Sequence, residues 1–89
     1  MRQKLVVANW KMNPQTYKEA EGFVKSVLEY GRKDVVLCPP YPWLTDFSHK
    51  HQEVLWGAQD VFYEKEGAYT GEVSAKMLAS SGVNYVIVG

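Results

Sequence analysis

The sequence lacks the features that mark several common functional classes. It has no basic run, and its 10 Lys and Arg residues are balanced by 10 Asp and Glu, for a formal net charge of zero. Because a nucleic-acid surface needs clustered cations, nucleic acid is not expected as a partner. Its apolar runs are far shorter than the roughly 20 residues of a membrane span or the about 7–15 of a signal peptide core. We therefore expect no contact with a membrane.

The sequence also lacks the residue patterns that bind metals or cofactors. Its single cysteine, Cys38, has no partner for a disulfide and no neighbours at zinc spacing, which predicts a buried apolar role and a cytoplasmic location. His49 and His51 are two residues apart on a predicted short helix, so they face different directions. No glycine pair has the spacing of a dinucleotide or phosphate loop, and no serine lies in a nucleophile elbow. We therefore expect no metal and no cofactor.

What the sequence does contain is a repeated pattern of short apolar runs. Hydrophobic residues make up 46% of the chain and charged residues 22%, as in ordinary folded proteins. Four runs stand out: Leu5–Ala8, Val35–Cys38, Val54–Ala58 and Tyr85–Gly89. Because polar residues do not alternate within them, they predict parallel strands that are buried on both faces.

Helix signals separate these runs. A capping box from Thr16 to Glu19 starts the first predicted helix, and Gly31 ends it. The second helix is expected to begin only at Trp43, because three prolines lie between positions 39 and 42. The third is expected to begin at Glu72 and to stop before Gly82.

The order of these elements is therefore β-α-β-α-β-α-β, which predicts an α/β fold of parallel β/α units. No linker or low-complexity tract divides residues 1–89, so we expect one domain or part of one. The last run has no helix after it to cover it, and this asymmetry indicates an interrupted fold.

Candidate functional residues follow the strands, because the carboxyl ends of parallel strands build the site in β/α proteins. If the chain stays extended, Asn9 and Lys11 project to one side and Trp10 to the other. An amide and an ammonium suit an anionic or carbonyl-rich ligand. The alternative is that Asn9 caps the turn and Lys11 is a solvated loop residue. Gln59, after the third strand, is equally compatible with tying down a turn and with supporting a site.

Four segments, in this order, resemble triosephosphate isomerases. They are Asn9–Asn13, Gly57–Asp60, Gly67–Ala75 and Tyr85–Gly89. The resemblance covers the whole chain and implies the first three β/α units and the fourth strand of a (β/α)8 barrel. Residues 1–89 would then be the N-terminal portion of a single barrel domain.

The resemblance also implies a function. The family is homodimeric, needs no cofactor, and interconverts dihydroxyacetone phosphate and glyceraldehyde 3-phosphate in glycolysis and gluconeogenesis. Asn9 and Lys11 match its substrate-binding residues, and Lys11 would also be catalytic. The residues that would lie at the dimer interface are Met12, Tyr69, Thr70, Gly71 and Glu72. The family's catalytic His and Glu belong to segments beyond a strand like Tyr85–Gly89, so we expect the 89 residues alone to be inactive.

Two other interpretations stay open at this point. In the first interpretation, the chain is a self-contained α/β module that uses Asn9 and Lys11 to bind a phosphate ester without catalysis. In the second interpretation, the chain is one half of a protein and functions only after it pairs with a complementary chain. Binding of a phosphate ester without turnover favours the first, and activity restored by mixing with the remaining barrel favours the second.

Overall fold

A computed structural model describes residues 4–89, which form one parallel sheet with helices between successive strands. The strands follow one another in the sheet in the order β1-β2-β3-β4. The elements in chain order are β1 (Val6–Asn9), α1 (Tyr17–Tyr30), β2 (Val35–Cys38), α2 (Tyr41–Lys50), β3 (Leu55–Ala58), α3 (Ala75–Ser80) and β4 (Tyr85–Val86).

The strand order identifies the kind of α/β fold. In the register, Val7 lies opposite Val36, Leu37 opposite Trp56, and Gly57 opposite Tyr85, all in parallel pairs. A doubly wound sheet reverses its direction of growth after the first strands, whereas a barrel adds each new strand on the same side. The sheet grows in one direction from β1 to β4, so the prediction of parallel β/α units from a barrel is confirmed.

Helix α1 begins and ends where its sequence signals predict. The Glu19 amide donates to the Thr16 hydroxyl oxygen over 3.2 Å, and that hydroxyl donates to the Glu19 carboxylate over 2.8 Å. At the other end Gly31 adopts φ 77°, and its amide donates to the carbonyl of Val27. Only glycine takes this left-handed conformation without a steric cost, which is why the helix stops there.

The predicted start of the second helix was wrong by two residues. Helix α2 begins at Tyr41, and Pro42 lies in its first turn. Proline is tolerated there because the first amides of a helix have no intrahelical acceptor, so the missing N–H costs nothing. The carbonyl of Pro40 accepts from the amides of Trp43 and Leu44 and closes this turn.

The predicted start of the third helix was wrong by three residues. Helix α3 begins at Ala75, after Ser74, whose hydroxyl accepts a hydrogen bond from the amide of Met77. The preceding residue is not helical, because the Val73 carbonyl accepts from the amide of Phe62 over 2.8 Å. Helical spacing alone did not reveal that this backbone pairs with the loop after β3.

The core lies between the middle of the sheet and the helices. The rings of Phe47 and Trp56 stack with centroids 5.8 Å apart, and the Trp56 indole N–H donates to the carbonyl of His51. Aromatic stacking of this kind adds to the stability gained from burying apolar surface. The buried residues of the core are Ala20, Val24, Leu37, Leu44, Phe47, Trp56, Ala58, Leu78 and Val83.

Burial on both faces is confirmed for the middle strands and wrong for the outer ones. Most residues of β2 and β3 are buried, whereas Val6 and Val7 of β1 are 44% and 53% exposed and both residues of β4 are exposed. The physical reason is that β1 and β4 each have one neighbouring strand within residues 4–89. None of the helices formed by these residues has the length and hydropathy of a membrane span.

Candidate functional site

The candidate site lies where β1, β2 and β3 end, at one edge of the sheet. Asn9 is the last residue of β1 and pairs with Cys38, the last residue of β2. Gln59 follows β3 directly. Because the three strands are adjacent and parallel, the loops that follow them meet at this edge.

The backbone of Lys11 is held from both sides. Its amide donates to the Asn9 side-chain oxygen over 2.9 Å, and its carbonyl accepts from the Gln59 side-chain nitrogen over 2.8 Å. Lys11 adopts φ 59°, a left-handed conformation that non-glycine residues rarely take. The two side chains therefore fix the direction of the backbone at Lys11.

The assumption that the chain stays extended through Lys11 was wrong. The chain leaves the extended conformation at Lys11, and the Asn9 side chain caps the resulting turn. Trp10 does turn toward the helix layer as predicted, since its ring meets that of Phe23 edge to face at 5.6 Å. Asn9 and Lys11 are both exposed and thus accessible to a ligand.

Two further side chains fix the rest of this loop. The Gln15 amide donates to the Met12 carbonyl over 2.6 Å, and the Trp43 indole donates to the Pro14 carbonyl over 3.2 Å. Trp43 was predicted only as the first residue of the second helix. Its role as a hydrogen-bond donor to a loop 29 residues away leaves no signal in local spacing.

Gln59 ties down a turn, which is one of the two roles that its position left open. Besides the Lys11 carbonyl, its side-chain nitrogen donates to the Cys38 carbonyl over 2.8 Å. That carbonyl also accepts from the amide of Trp10 over 3.1 Å, so both of its acceptor positions are used. Gln59 therefore ties down a turn, and the turn is the one that carries Lys11.

The loop after β3 is also ordered by its own side chains. The ring of Phe62 lies 4.6 Å from that of Tyr63 and 4.8 Å from that of Tyr69, measured between centroids. The Tyr41 hydroxyl donates to the Asp60 carbonyl at the base of the loop. Burial, together with the charges of Asp60 and Glu72, raises the pKa of Tyr41, so this donor keeps its proton at neutral pH.

The predicted interface residues lie on these two loops and are exposed. Met12 is 81% exposed and Tyr69 is 44% exposed. Thr70, Gly71 and Glu72 are exposed as well. Gly71 has φ 85°, which lets the chain turn sharply beside Thr70.

The chemistry available at this edge is that of a cation and neutral polar groups. Burial raises the pKa of the Cys38 thiol, which keeps it neutral and inert, in agreement with the predicted apolar role. Among residues 4–89, no three His, Cys, Asp or Glu side chains are grouped as metal ligands would be. The Lys11 ammonium and the side-chain nitrogen of Asn9 can bind an anion and stabilise negative charge as it develops.

A separate apolar cavity lies at the opposite end of the strands. It has a volume of about 150 Å³ and is lined by Val27, Leu28, Val35 and Leu55, among others. Its lining comes from the end of α1 and the beginnings of β2 and β3. This cavity is therefore not part of the site formed around Lys11.

Comparisons with known proteins agree with this fold. The family model described as "Triosephosphate isomerase" matches residues 4–89. The chain is 45% identical to the triosephosphate isomerase of Dictyoglomus thermophilum over 95 aligned positions, and 42% identical to those of Dictyoglomus turgidum and Carboxydothermus hydrogenoformans. In each case all of this chain is aligned with 38% of the relative's length. The chain therefore belongs to the triosephosphate isomerase family and corresponds to its N-terminal part.

Proposed function

We propose that the complete protein interconverts dihydroxyacetone phosphate and glyceraldehyde 3-phosphate, and that residues 1–89 supply the first part of its single barrel domain. The observation that carries this proposal is the geometry of Lys11. Its backbone is fixed on both sides at the carboxyl end of β1, inside a segment that matches the family. An ammonium at this position suits a phosphorylated triose, because the substrate is anionic and gains negative charge in the reaction.

The role that we assign to Lys11 is electrostatic. At about 4 Å from a negative oxygen, and with an effective dielectric constant near 20, a positive charge contributes roughly 4 kcal/mol. The same charge stabilises the phosphate in the bound substrate and the oxyanion of an enediolate. Lys11 would thus affect both binding and the chemical step.

Asn9 would position Lys11 and contact the substrate. Its side-chain oxygen accepts from the Lys11 amide, which leaves its amide nitrogen as a donor for a substrate oxygen. The reaction itself moves a proton between two neighbouring carbons, which requires a general base. In this proposal the base and an electrophilic His come from the part of the barrel that follows these residues.

The exposed loops support a proposal of homodimerisation. Met12 and residues Tyr69 to Glu72 would contact a second subunit, with Thr70 closest to the partner's first loop. Exposed large apolar side chains on two ordered loops are the kind of surface that an interface buries. A cytoplasmic location and a place in glycolysis and gluconeogenesis remain predictions from the single cysteine and from the family.

A fusion protein tests the proposed function. Residues 1–89 are joined to the remainder of the Dictyoglomus thermophilum enzyme, so that this chain replaces the segment with which it aligns. We expect isomerisation of glyceraldehyde 3-phosphate in preparations from a host that lacks its own enzyme. The unaltered Dictyoglomus protein is the control. A fusion that folds and dimerises like the control but does not turn over substrate would contradict the proposal.

A further inference from the structure

We propose that a polar pocket between the ends of α2 and α3 is a second ligand site, which binds a small primary ammonium compound. This inference goes beyond the proposed function and does not depend on it. The pocket has a volume of about 340 Å³, and its lining includes Ser48, Gln52, Ser81 and Asn84. These residues belong to the end of α2 and to the turns that precede β3 and β4, so the pocket lies at the edge of the sheet opposite Lys11.

The serine hydroxyls of the pocket can only accept hydrogen bonds from a ligand, because each hydroxyl has a single proton. The Ser48 hydroxyl directs its proton at the carbonyls of Ser81 and Thr45, which lie 2.6 and 3.0 Å away. The hydroxyls of Ser80 and Ser81 both donate to the carbonyl of Met77 over 2.9 Å. All three protons are therefore used inside the protein, and the lone pairs of three oxygens remain.

The backbone around the pocket also offers acceptors. The last carbonyls of a helix have no partner within it and give that end a negative potential. Among residues 4–89, no amide donates to the Ser48 carbonyl in the last turn of α2. This oxygen faces the turn after α3, since a Cβ atom added at Gly82 would lie 3.8 Å from it. The amides of Gly82 and Asn84 donate to other carbonyls, so that turn supplies few donors of its own.

A ligand of this pocket must therefore donate hydrogen bonds and is favoured by a positive charge. A primary ammonium group carries three N–H donors, which match several oxygen acceptors at once. Of the described residues that line the pocket, only His49 has an ionisable side chain, so the acceptors are neutral oxygens. A water molecule occupies about 30 Å³, so the volume exceeds that of a single ion. Val54 and Trp56 also line the pocket and offer an apolar wall to the carbon chain of an organic ammonium.

Titration of the fusion protein with propylammonium chloride tests the site, with amide resonances of the ¹⁵N-labelled protein as the readout. We expect saturable shifts of the signals from residues Ser81–Asn84. Propyltrimethylammonium has the same charge and carbon chain but no N–H donor, so it should bind at least about fivefold more weakly. Potassium chloride controls for ionic strength and should give no saturable shift. Equal affinity for any two of these three salts, or shifts that grow without saturation, would overturn the proposal.

Two substitutions at the exposed Gln52 should change the affinity for propylammonium in opposite directions. Gln52→Lys places a second ammonium beside the pocket and should weaken binding at least about tenfold, whereas Gln52→Glu adds a carboxylate and should strengthen it about three- to tenfold. The controls are Glu29→Gln and Lys25→Gln, which change the net charge by the same amounts on exposed positions of α1. Both controls should stay within about twofold of the unaltered fusion.

Ser81→Ala tests a single acceptor without a change of charge. It should weaken binding about three- to tenfold, because one of the accepting oxygens is lost. Ser26→Ala is the matched control, since the Ser26 hydroxyl also donates to a carbonyl four residues earlier, that of Gly22. Equal affinities in these two variants, together with equal responses to the charge changes at Gln52 and on α1, would overturn the proposal. None of these measurements uses isomerase activity, so a folded but inactive fusion would count against the proposed function alone.

Discussion

The middle and outer strands of the sheet differ in how many neighbouring strands they have within the described residues. Strands β2 and β3 have a neighbour on each side, and helix α2 packs on them with Leu44 and Phe47 fully buried. Strands β1 and β4 have one neighbour each and leave Val7 and Val86 exposed. Parallel strands are stable when both faces and both edges are covered, so the outer strands depend on further partners.

The two regions also have different proposed functions. The residues that we assign to chemistry, Asn9 and Lys11, belong to an outer strand and its loop. The contacts that hold this loop come from the middle, namely the Cys38 carbonyl, the Gln59 side chain and the Trp43 indole. The buried middle is the scaffold, and the exposed strand carries the proposed site.

The largest effect is expected when the outer strands have no further partners. The isolated 89-residue polypeptide should have no measurable isomerase activity, because the proposed general base belongs to a later part of the barrel. It should also self-associate or form a molten ensemble, because its strand edges are open and apolar. Val88→Lys, at a position that is 80% exposed, should reduce association by adding charge beside the β4 edge. Sedimentation, hydrogen exchange and an isomerase assay measure these outcomes.

A monomer at tens of micromolar, with protected strand amides and cooperative unfolding, would contradict this prediction. It would show that the outer strands need no partner. If that monomer also bound inorganic phosphate, the self-contained binding module would become the better interpretation of the chain.

The second effect concerns the exposed site in the fusion protein. Lys11→Ala should lower kcat/KM about 10³-fold or more, equivalent to about 4 kcal/mol, because the charge acts on bound phosphate and on the transition state. Lys11→Arg should also be damaging, since a planar guanidinium places its charge differently from a compact ammonium. The control is Lys65→Ala, in the exposed loop after β3. Steady-state kinetics check the result, and near-normal values for both Lys11 variants would make Lys11 an ordinary loop residue.

The third effect concerns the buried middle. Phe47→Ala in the fusion should reduce the free energy of unfolding by about 3 to 4 kcal/mol, because it leaves a cavity beside Trp56 and Tyr17. Phe23→Ala is the matched control, since Phe23 is 49% exposed where Phe47 is fully buried. Its cost should be no more than about half as large. Denaturant unfolding at equal protein concentration measures both losses. Equal losses would mean that the burial of Phe47 does not determine the free energy lost when its ring is removed.

The fourth effect concerns the substitution of a glycine by alanine, first in the sheet and then at an exposed position of a helix. A Cβ added at Gly57 would lie 2.6 Å from the Cys38 sulfur and 3.0 Å from a Val36 methyl carbon, so Gly57→Ala should cost about 1 to 3 kcal/mol. Gly22, inside α1, has no heavy atom within 4 Å of that position. Gly22→Ala should therefore stabilise the protein by about 0.5 to 1 kcal/mol.

The double variant Gly57→Ala with Cys38→Ala sharpens this test. Removal of the sulfur makes room for the new methyl group, so the two substitutions together should cost less than the sum of their separate costs. Strict additivity, measured by the same unfolding assay, would show that the close approach of the strands at Gly57 is unimportant.

The sequence predicted most of the fold because its signals are local. The capping box at Thr16 and the left-handed glycine at Gly31 act within one helical turn, and both ends of α1 were confirmed. Where a non-local contact decides the structure, the prediction failed. The start of α3 depends on a backbone pairing of Phe62 with Val73, which no spacing rule contains.

The site was predicted in part for the same reason. Asn9, Lys11 and Gln59 were selected because they follow strands, and the structure places all three at one edge of the sheet. The backbone conformation at Lys11 was not predictable, because it is left-handed and its carbonyl accepts from a donor 48 residues away. The contribution of Trp43 to the same loop was missed, since an apolar helix face hides an indole donor.

The smallest effect is expected at an exposed contact between α1 and α2, outside both regions compared above. The Tyr17 hydroxyl donates to the Asp46 carboxylate, and Lys50 lies 3.2 Å from the same carboxylate. The hydrogen bond from Tyr17, followed by that from Lys50, lowers the pKa of Asp46 below its ordinary value. A carboxyl group with a lowered pKa in the folded state stabilises the protein above its unfolded pKa. That contribution is lost as pH falls below about 4 and the folded protein takes up the proton.

Asp46→Asn in the fusion should therefore lower Tm slightly at neutral pH and leave it unchanged in acid, so that the two melting curves converge as pH falls. The effect is small because the side chains of Asp46 and Lys50 are about half exposed and water screens their charges. Asp60→Asn makes the same change of charge in a loop and serves as the control. Melting at a series of pH values, with equal protein concentration, measures the convergence. A difference in Tm that persists at acid pH would mean that Asp46 acts through packing, and that its ionised form does not hold α1 to α2.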